Sequence, residues 1–213
     1  MTTVKMKAKL ENIMCIDELS KIRALGNFLQ YYQSDLIYIM NFQMYKENGI
    51  LNKYNESSGS FQRFLNEFKV ARNVRKSKAQ DLLDSTMEWV KDENKQNDVD
   101  AFAKNLRCKC ITQEKKTMTS LASKILFLNN PWYVLPCDTQ NRRALGVKRN
   151  NYEDFHNAVE VLKMKTLATD GLLVPFHKYI DIIEDEFKEK IKRIREIREN
   201  RLLDKLLWVY GQP

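Results

Sequence analysis

The sequence predicts an all-α, multi-helix bundle, and three observations carry that expectation. Apolar residues recur at helical spacing along most of the 213-residue chain. Glycine and proline number only six and four, too few for the tight turns that all-β folds need. Apolar residues make up 43% of the chain and charged ones 30%, enough for a packed core beneath a solvated surface. The length suits a single helical domain over 1–213, with residues 151–213 as its C-terminal helices.

Each element has its own local reason. Residues 1–16 lack a strong period. From Ile16 to Lys46 the apolar spacing predicts a long helix, with Gly49 as its stop. Residues 52–60 are polar, and Ser57, Ser58, Gly59 and Ser60 mark a loop. Phe61, Phe64, Leu65, Phe68 and Ala71 follow the i, i+3, i+4, i+7 pattern, with Ser60 as N-cap. Such a stripe belongs to a core, which leaves Arg63, Arg72 and Arg75 outside it. A further helix is expected over 78–92, with Leu82, Leu83, Met87 and Val90 inward, and then a polar linker over 92–98. Val99, Phe102, Ala103, Leu106 and Cys110 continue the pattern to Ile111, which makes Cys110 a buried helical residue. Phe155, Val159, Val161, Leu162 and Met164 fit one helix, broken at Asp170, Gly171 and Pro175. One long helix is then expected over 176–210. Its middle carries charge of both signs, which reads as a solvated face of i, i+4 pairs.

Cys15, Cys108, Cys110 and Cys137 are expected as free thiols in a reducing cytoplasm. A C-x-C without a nearby histidine is a weak metal signal, so neither a metal nor another cofactor is expected. No apolar run follows a basic start, which argues against a signal peptide. The longest apolar run, Leu36 to Met40, is too short to cross a bilayer, so no membrane partner is expected.

Charge points to a partner. Lys and Arg number 36 against 28 Asp and Glu, a net charge of +8. Arg63, Lys69, Arg72, Arg75, Lys76 and Lys78 face Glu67 alone within 61–80. Lys104, Arg107, Lys109, Lys115, Lys116 and Lys124 face Glu114 alone within 104–124. Arg142, Arg143, Lys148 and Arg149 cluster with no acid. On one face these stretches make a field suited to phosphates, and DNA is the expected partner; scattered solvated charges are the plainer alternative.

One segment carries more information. Met118 to Leu128 reads as a helix, with Thr119 or Ser120 as its cap, ended by Asn130 and Pro131. Pro136 forces an extended entry to Asp138, an N-cap position, and Gly146 suits the end of the helix that follows. Leu121-Ala122-Ser123-Lys124-Ile125-Leu126 resembles the T-A-x-x-I-L helix of the helix-hairpin-helix base-excision DNA glycosylase superfamily. Leu135-Pro136-Cys137-Asp138-Thr139-Gln140-Asn141-Arg142-Arg143 resembles that superfamily's P-V-D-T-H-V-x-R-V, whose aspartate is catalytic. The chain is also similar to a divergent bacterial group with S-x-A-S-K-x-L-x-F, then P-x-x-x-P-x-x-D-S, and a C-terminal L-D-K-x-L-W-x-x-G. Leu203-Asp204-Lys205-Leu206-Leu207-Trp208-Val209-Tyr210-Gly211 stands at that last position. The motif covers residues 112–146.

The resemblance implies monofunctional hydrolysis of a base–sugar bond in DNA, in repair or in defence against modified foreign DNA. Asp138 would be the carboxylate that stabilises an oxocarbenium-like sugar and steers water. An extruded base needs an aromatic pocket, for which Trp132 and Tyr133, with Tyr31 or Tyr32, are candidates, although core filling is the commoner fate of such rings. Lys115, Lys116, Thr117, Thr119, Ser120, Lys124, Arg142 and Arg143 would meet the phosphate backbone. Three departures stand out. Residues 112–118 lack the hairpin glycine, Ser120 stands where bifunctional members carry a nucleophilic lysine, and the four-cysteine iron–sulfur set is missing. Two other readings stay open: a nucleic-acid-binding module without catalysis, and a helical interaction subunit of a defence or toxin system. Asp204 and Trp208 either close the motif from the opposite wall or simply dock the last helix.

Overall fold

The computed structural model describes residues 17–48, 60–75, 78–112, 118–165 and 169–213. Gly49, Lys76, Lys115, Lys116, Thr117 and Cys15 lie outside the described residues. Among those described the fold is all-α. No strand forms, and a lone antiparallel bridge joins Val74 to Thr112. The helices are α1 (Glu18–Asn48), α2 (Phe61–Glu67), α3 (Ala79–Val90), α4 (Val99–Cys108), α5 (Thr119–Asn129), α6 (Thr139–Leu145), α7 (Tyr152–Lys165), α8 (Thr169–Leu173), α9 (His177–Asp185) and α10 (Ile194–Tyr210). None of them is long and apolar enough to cross a membrane. The chain divides into two compact units, Met1–Gln33 with Leu135–Pro213, and Ser34–Val134.

In the Ser34–Val134 unit, α4 packs on α5 and α3 packs on both. Ser60 caps α2, accepting from the Arg63 amide, and Phe61, Phe64 and Leu65 are buried as the stripe predicts. The aromatic core runs from Tyr38 to Phe64 at 5.5 Å, then to Phe68 at 4.4 Å and Phe127 at 6.3 Å, ring centre to ring centre. Helix α5 is buried around its circumference, from Leu121 to Leu128 save Lys124. Its run of small and apolar residues shows no polar face because it has none to expose.

Three local expectations need correction here. Helix α2 stops at Glu67, with Lys69 in the left-handed region at φ 55°, so Ala71 opens a short 3-10 turn. Helix α5 begins at Thr119 behind Met118, and neither Thr119 nor Ser120 caps it. Helix α4 ends at Cys108, and Cys110 is exposed, with φ 54°. The left-handed turn at Cys110 lets the Ile111 amide reach the Leu106 carbonyl at 3.2 Å. Ile111 thereby takes the buried place that the apolar spacing assigns to Cys110.

In the other unit, α10 packs on α6 and α8, and α6 on α7. Phe155, Val159 and Leu162 of α7 are buried and Val161 is exposed. The expected break at Gly171 does not occur, because α8 runs through it; Pro175 instead sits in the first turn of a 3-10 segment, where its missing N–H costs nothing. The single helix expected over 176–210 is two helices, interrupted by turns over 186–193 and a left-handed Arg193 at φ 58°. The first half of α1 joins this unit through Tyr32, whose hydroxyl donates to Glu184 at 2.6 Å, and through Gln33, which donates to Glu186 at 3.3 Å.

Candidate functional site around Asp138

Pro136 holds its neighbourhood extended, and Tyr152 fixes the stretch in place. The Tyr152 hydroxyl accepts from the Leu135 amide at 2.9 Å and donates to the Leu135 carbonyl at 3.3 Å. Both contacts are buried, so the Leu135 N–H and carbonyl are satisfied without a strand partner. Asp138 follows with φ −113° and ψ −176°, and its Oδ1 accepts from the Asn141 amide at 2.9 Å. It is half-buried. The seven-residue α6 ends as expected at Gly146, φ 71°, with Val147 N donating to Arg142 O at 2.8 Å.

Asn141 ties this corner to α10. Its side-chain nitrogen donates to the Pro136 carbonyl at 2.9 Å and to Asp204 Oδ1 at 2.7 Å, and its Oδ1 is buried without a hydrogen-bond partner. Asp204 Oδ2 in turn accepts from Arg201 at 2.9 Å. Arg201 is only 1% exposed, so it carries its charge into the interior against that carboxylate. Gly211, two turns beyond Asp204, lies against the backbone of Gln140 so closely that a Cβ would stand 1.9 Å from the Gln140 carbonyl oxygen. Arg143 donates to the Gly211 carbonyl at 3.3 Å. The spacing L-D-K-x-L-W-x-x-G thus puts an anchor and a point of close approach on one face of α10, and both serve α6.

No protein-family model, curated protein or solved structure matches the chain.

The other candidate residues fall as follows. Arg142, Arg143, Lys148 and Arg149 lie on α6 and the segment after it, where Arg142 donates to the Arg149 carbonyl at 3.3 Å. In the Ser34–Val134 unit, Thr119 is fully buried and Ser120 partly so, which leaves the Thr119 hydroxyl out of reach of a phosphate. Lys124 donates to the Phe68 carbonyl at 3.1 Å, satisfying the end of α2. Trp132 is half-buried and Tyr133 is 44% exposed, both in the turn after α5. Tyr31 is exposed beneath the Lys205 ammonium, 5.0 Å from the ring centre, while Tyr32 is fully buried. Among the described residues no group of three or more His, Cys, Asp or Glu is placed to hold a metal.

Sequence reasoning missed Asn141, Tyr152, Arg201 and Glu184. Glu184 is buried where the Tyr32 hydroxyl and Arg198 meet it, with Arg198 Nε 3.6 Å away. Burial holds its carboxyl above the usual range, against the lowering effects of Tyr32 and Arg198; Asp181 and Asp185 add to the rise. The signal available for Asn141 is its place three residues after the cap, where a side chain can turn back on the helix entry.

Proposed function

We propose that this protein is a DNA-glycosylase-like protein that hydrolyses a base–sugar N-glycosidic bond, with Asp138 as its carboxylate. The observation that carries the reading is the scaffold around that residue. Tyr152, Asn141, Asp204 and Gly211 brace one short helix start, and the side chain held there is a half-buried carboxylate. A fixed carboxylate stabilises a developing sugar cation without reorganising during the reaction. The arginines of α6 supply charge for the phosphates on either side. With Ser120 standing where the resemblance would put a nucleophilic lysine, the product is an abasic site on an intact strand.

A second reading has its own support. Asp138 Oδ1 already accepts from the Asn141 amide, as a simple cap does, and residues 112–118 hold no glycine. Both favour a nucleic-acid-binding module without catalysis.

Oligonucleotides carrying a panel of modified bases, incubated with the full chain and then cleaved at abasic sites, separate the two. Excision that disappears in Asp138→Asn while DNA binding persists supports the enzyme. Binding with no excision of any base leaves the module, and excision by the Asn variant removes Asp138 from the chemistry. Borohydride trapping of a covalent adduct would contradict the monofunctional route.

A further inference from the structure

The segments leaving α2 and α4 run side by side, and both are basic. Each helix closes on a left-handed residue, Lys69 at φ 55° and Cys110 at φ 54°. Beyond those turns Val74 and Thr112 form their antiparallel bridge, and Arg75 N donates to the Ile111 carbonyl at 3.1 Å. Lys69, Arg72 and Arg75 are exposed along the first segment. Lys104 and Arg107 are exposed near the end of α4, on one face of that helix. The apolar residues Val70, Val74 and Ile111 are buried.

The fold accounts for only part of this charge. A helix C-terminus carries about half a negative charge, and at α2 the Lys124 ammonium already meets the Phe68 carbonyl at 3.1 Å. The turn at Lys69 asks only for positive φ, which glycine supplies with least strain. Arg75 Nε donates to the Thr112 carbonyl at 3.0 Å, a neutral partner that leaves the charge of the guanidinium in place. Other cations of this unit are paired with acids: Arg63 with Glu67 at 2.9 Å, Lys95 with Asp92 at 2.7 Å and Lys109 with Glu88 at 2.6 Å.

We infer that Lys69, Arg72 and Arg75, with Lys104 and Arg107, form a second contact for the phosphate backbone of duplex DNA, which rests on the DNA partner of the proposed function. The Ser34–Val134 unit carries this strip, whereas the cations of α6 belong to the other unit. Phosphates require only cations within reach. A protein partner requires an apolar anchor at the centre of its interface, and the strip turns Val70, Val74 and Ile111 inward. Backbone contacts position a strand without reading its bases, so the strip adds affinity and no sequence preference.

The test is fluorescence anisotropy of a labelled duplex with the full chain across a salt series. Lys69→Gly combined with Arg72→Gln should weaken binding and flatten the slope of log K against log salt by up to about 1.8, the share of two contacts. Lys69→Gly relieves the left-handed position, so its Tm should equal or exceed that of the unaltered protein and exclude misfolding as the cause. Arg63→Gln combined with Lys95→Gln removes the same formal charge from acid-paired sites and should leave the slope unchanged. The contact is overturned if the unaltered chain binds no duplex, if the Lys69 and Arg72 double variant keeps the parent slope, or if the control pair flattens it equally. Excision on the same samples is read separately. A flattened slope without excision of any base removes the enzyme and keeps this contact, and excision with an unaltered slope does the reverse.

Discussion

Asp204 and Glu184 are both carboxylates buried in one unit, each held by its own partners. Asp204 accepts from Asn141 at 2.7 Å and from the interior Arg201 at 2.9 Å. Removing one partner of a buried pair leaves the other charge uncompensated, which costs about 3–5 kcal/mol. Asp204→Ala should therefore lower stability by that amount in denaturant melts, and a loss under about 1 kcal/mol would mean that Arg201 finds other partners. Glu184 is held above its ordinary pKa of 4.5 by burial. A raised native pKa means that the native state binds more protons than the unfolded chain in the interval between the two values. The resulting stability is complete below the unfolded value and fades as pH rises through the native one. Glu184→Gln removes this dependence, so the difference in Tm between variant and parent should move in the variant's favour from pH 4 to pH 8. A difference that stays flat over that range would mean that Glu184 titrates alike in the native and unfolded states. The sequence pointed to Asp204 as a residue that docks the last helix but not to its partners Arg201 and Asn141, while Glu184 was only one acid among 28.

Helices and turns were legible wherever a local signal set them. Ser60, Asp138 and Gly146 stand at helix ends as their side chains dictate, accepting amide protons or supplying positive φ. The division of 176–210 was not legible, because 186–193 contains neither glycine nor proline. Phe187 and Ile191 are both buried in that turn, and its backbone stays bonded, with Ile191 N donating to Phe187 O at 2.8 Å. Apolar burial there outweighs a weak local preference for helix. Gly211 shows the converse. Its backbone at φ −82° suits any residue, so only the docking of α10 on Gln140 requires glycine. Gly211→Ala should cost at least the upper part of the about 1–3 kcal/mol typical of overpacking. It should also loosen α6, read as faster hydrogen exchange at the Asn141 and Arg142 amides. Unchanged exchange and stability would mean that the chain end moves aside freely.

Charge is a property of the whole molecule, and the structure sorts the excess of +8 into two kinds. Several cations are paired with an acid three or four residues away, as Arg63 is with Glu67, Lys95 with Asp92, Arg193 with Glu196 and Arg195 with Glu199. The mixed charge of 188–201 thus includes the local pairs its pattern predicts, and exposed pairs of this sort contribute little. Around α6 the sequence holds four cations and no acid from Arg142 to Arg149, and Arg142 and Arg143 donate to backbone carbonyls. If the proposed function holds, this is the segment whose field meets the phosphates. Protein cations that release the counterions held on DNA phosphates make affinity fall with salt, at about 0.9 in log K per contact for each decade of concentration. Duplex DNA should therefore bind more weakly as salt rises, and Arg142→Glu with Arg143→Glu should flatten the slope by up to about 1.8, the share of two contacts. Reversing Arg193 and Arg195 to Glu instead, where local acids already balance the charge, should leave the slope nearly unchanged. Fluorescence anisotropy of a labelled duplex across a salt series reads both. Equal slopes for the two double variants would show that binding follows net charge alone, and that α6 has no special part in it.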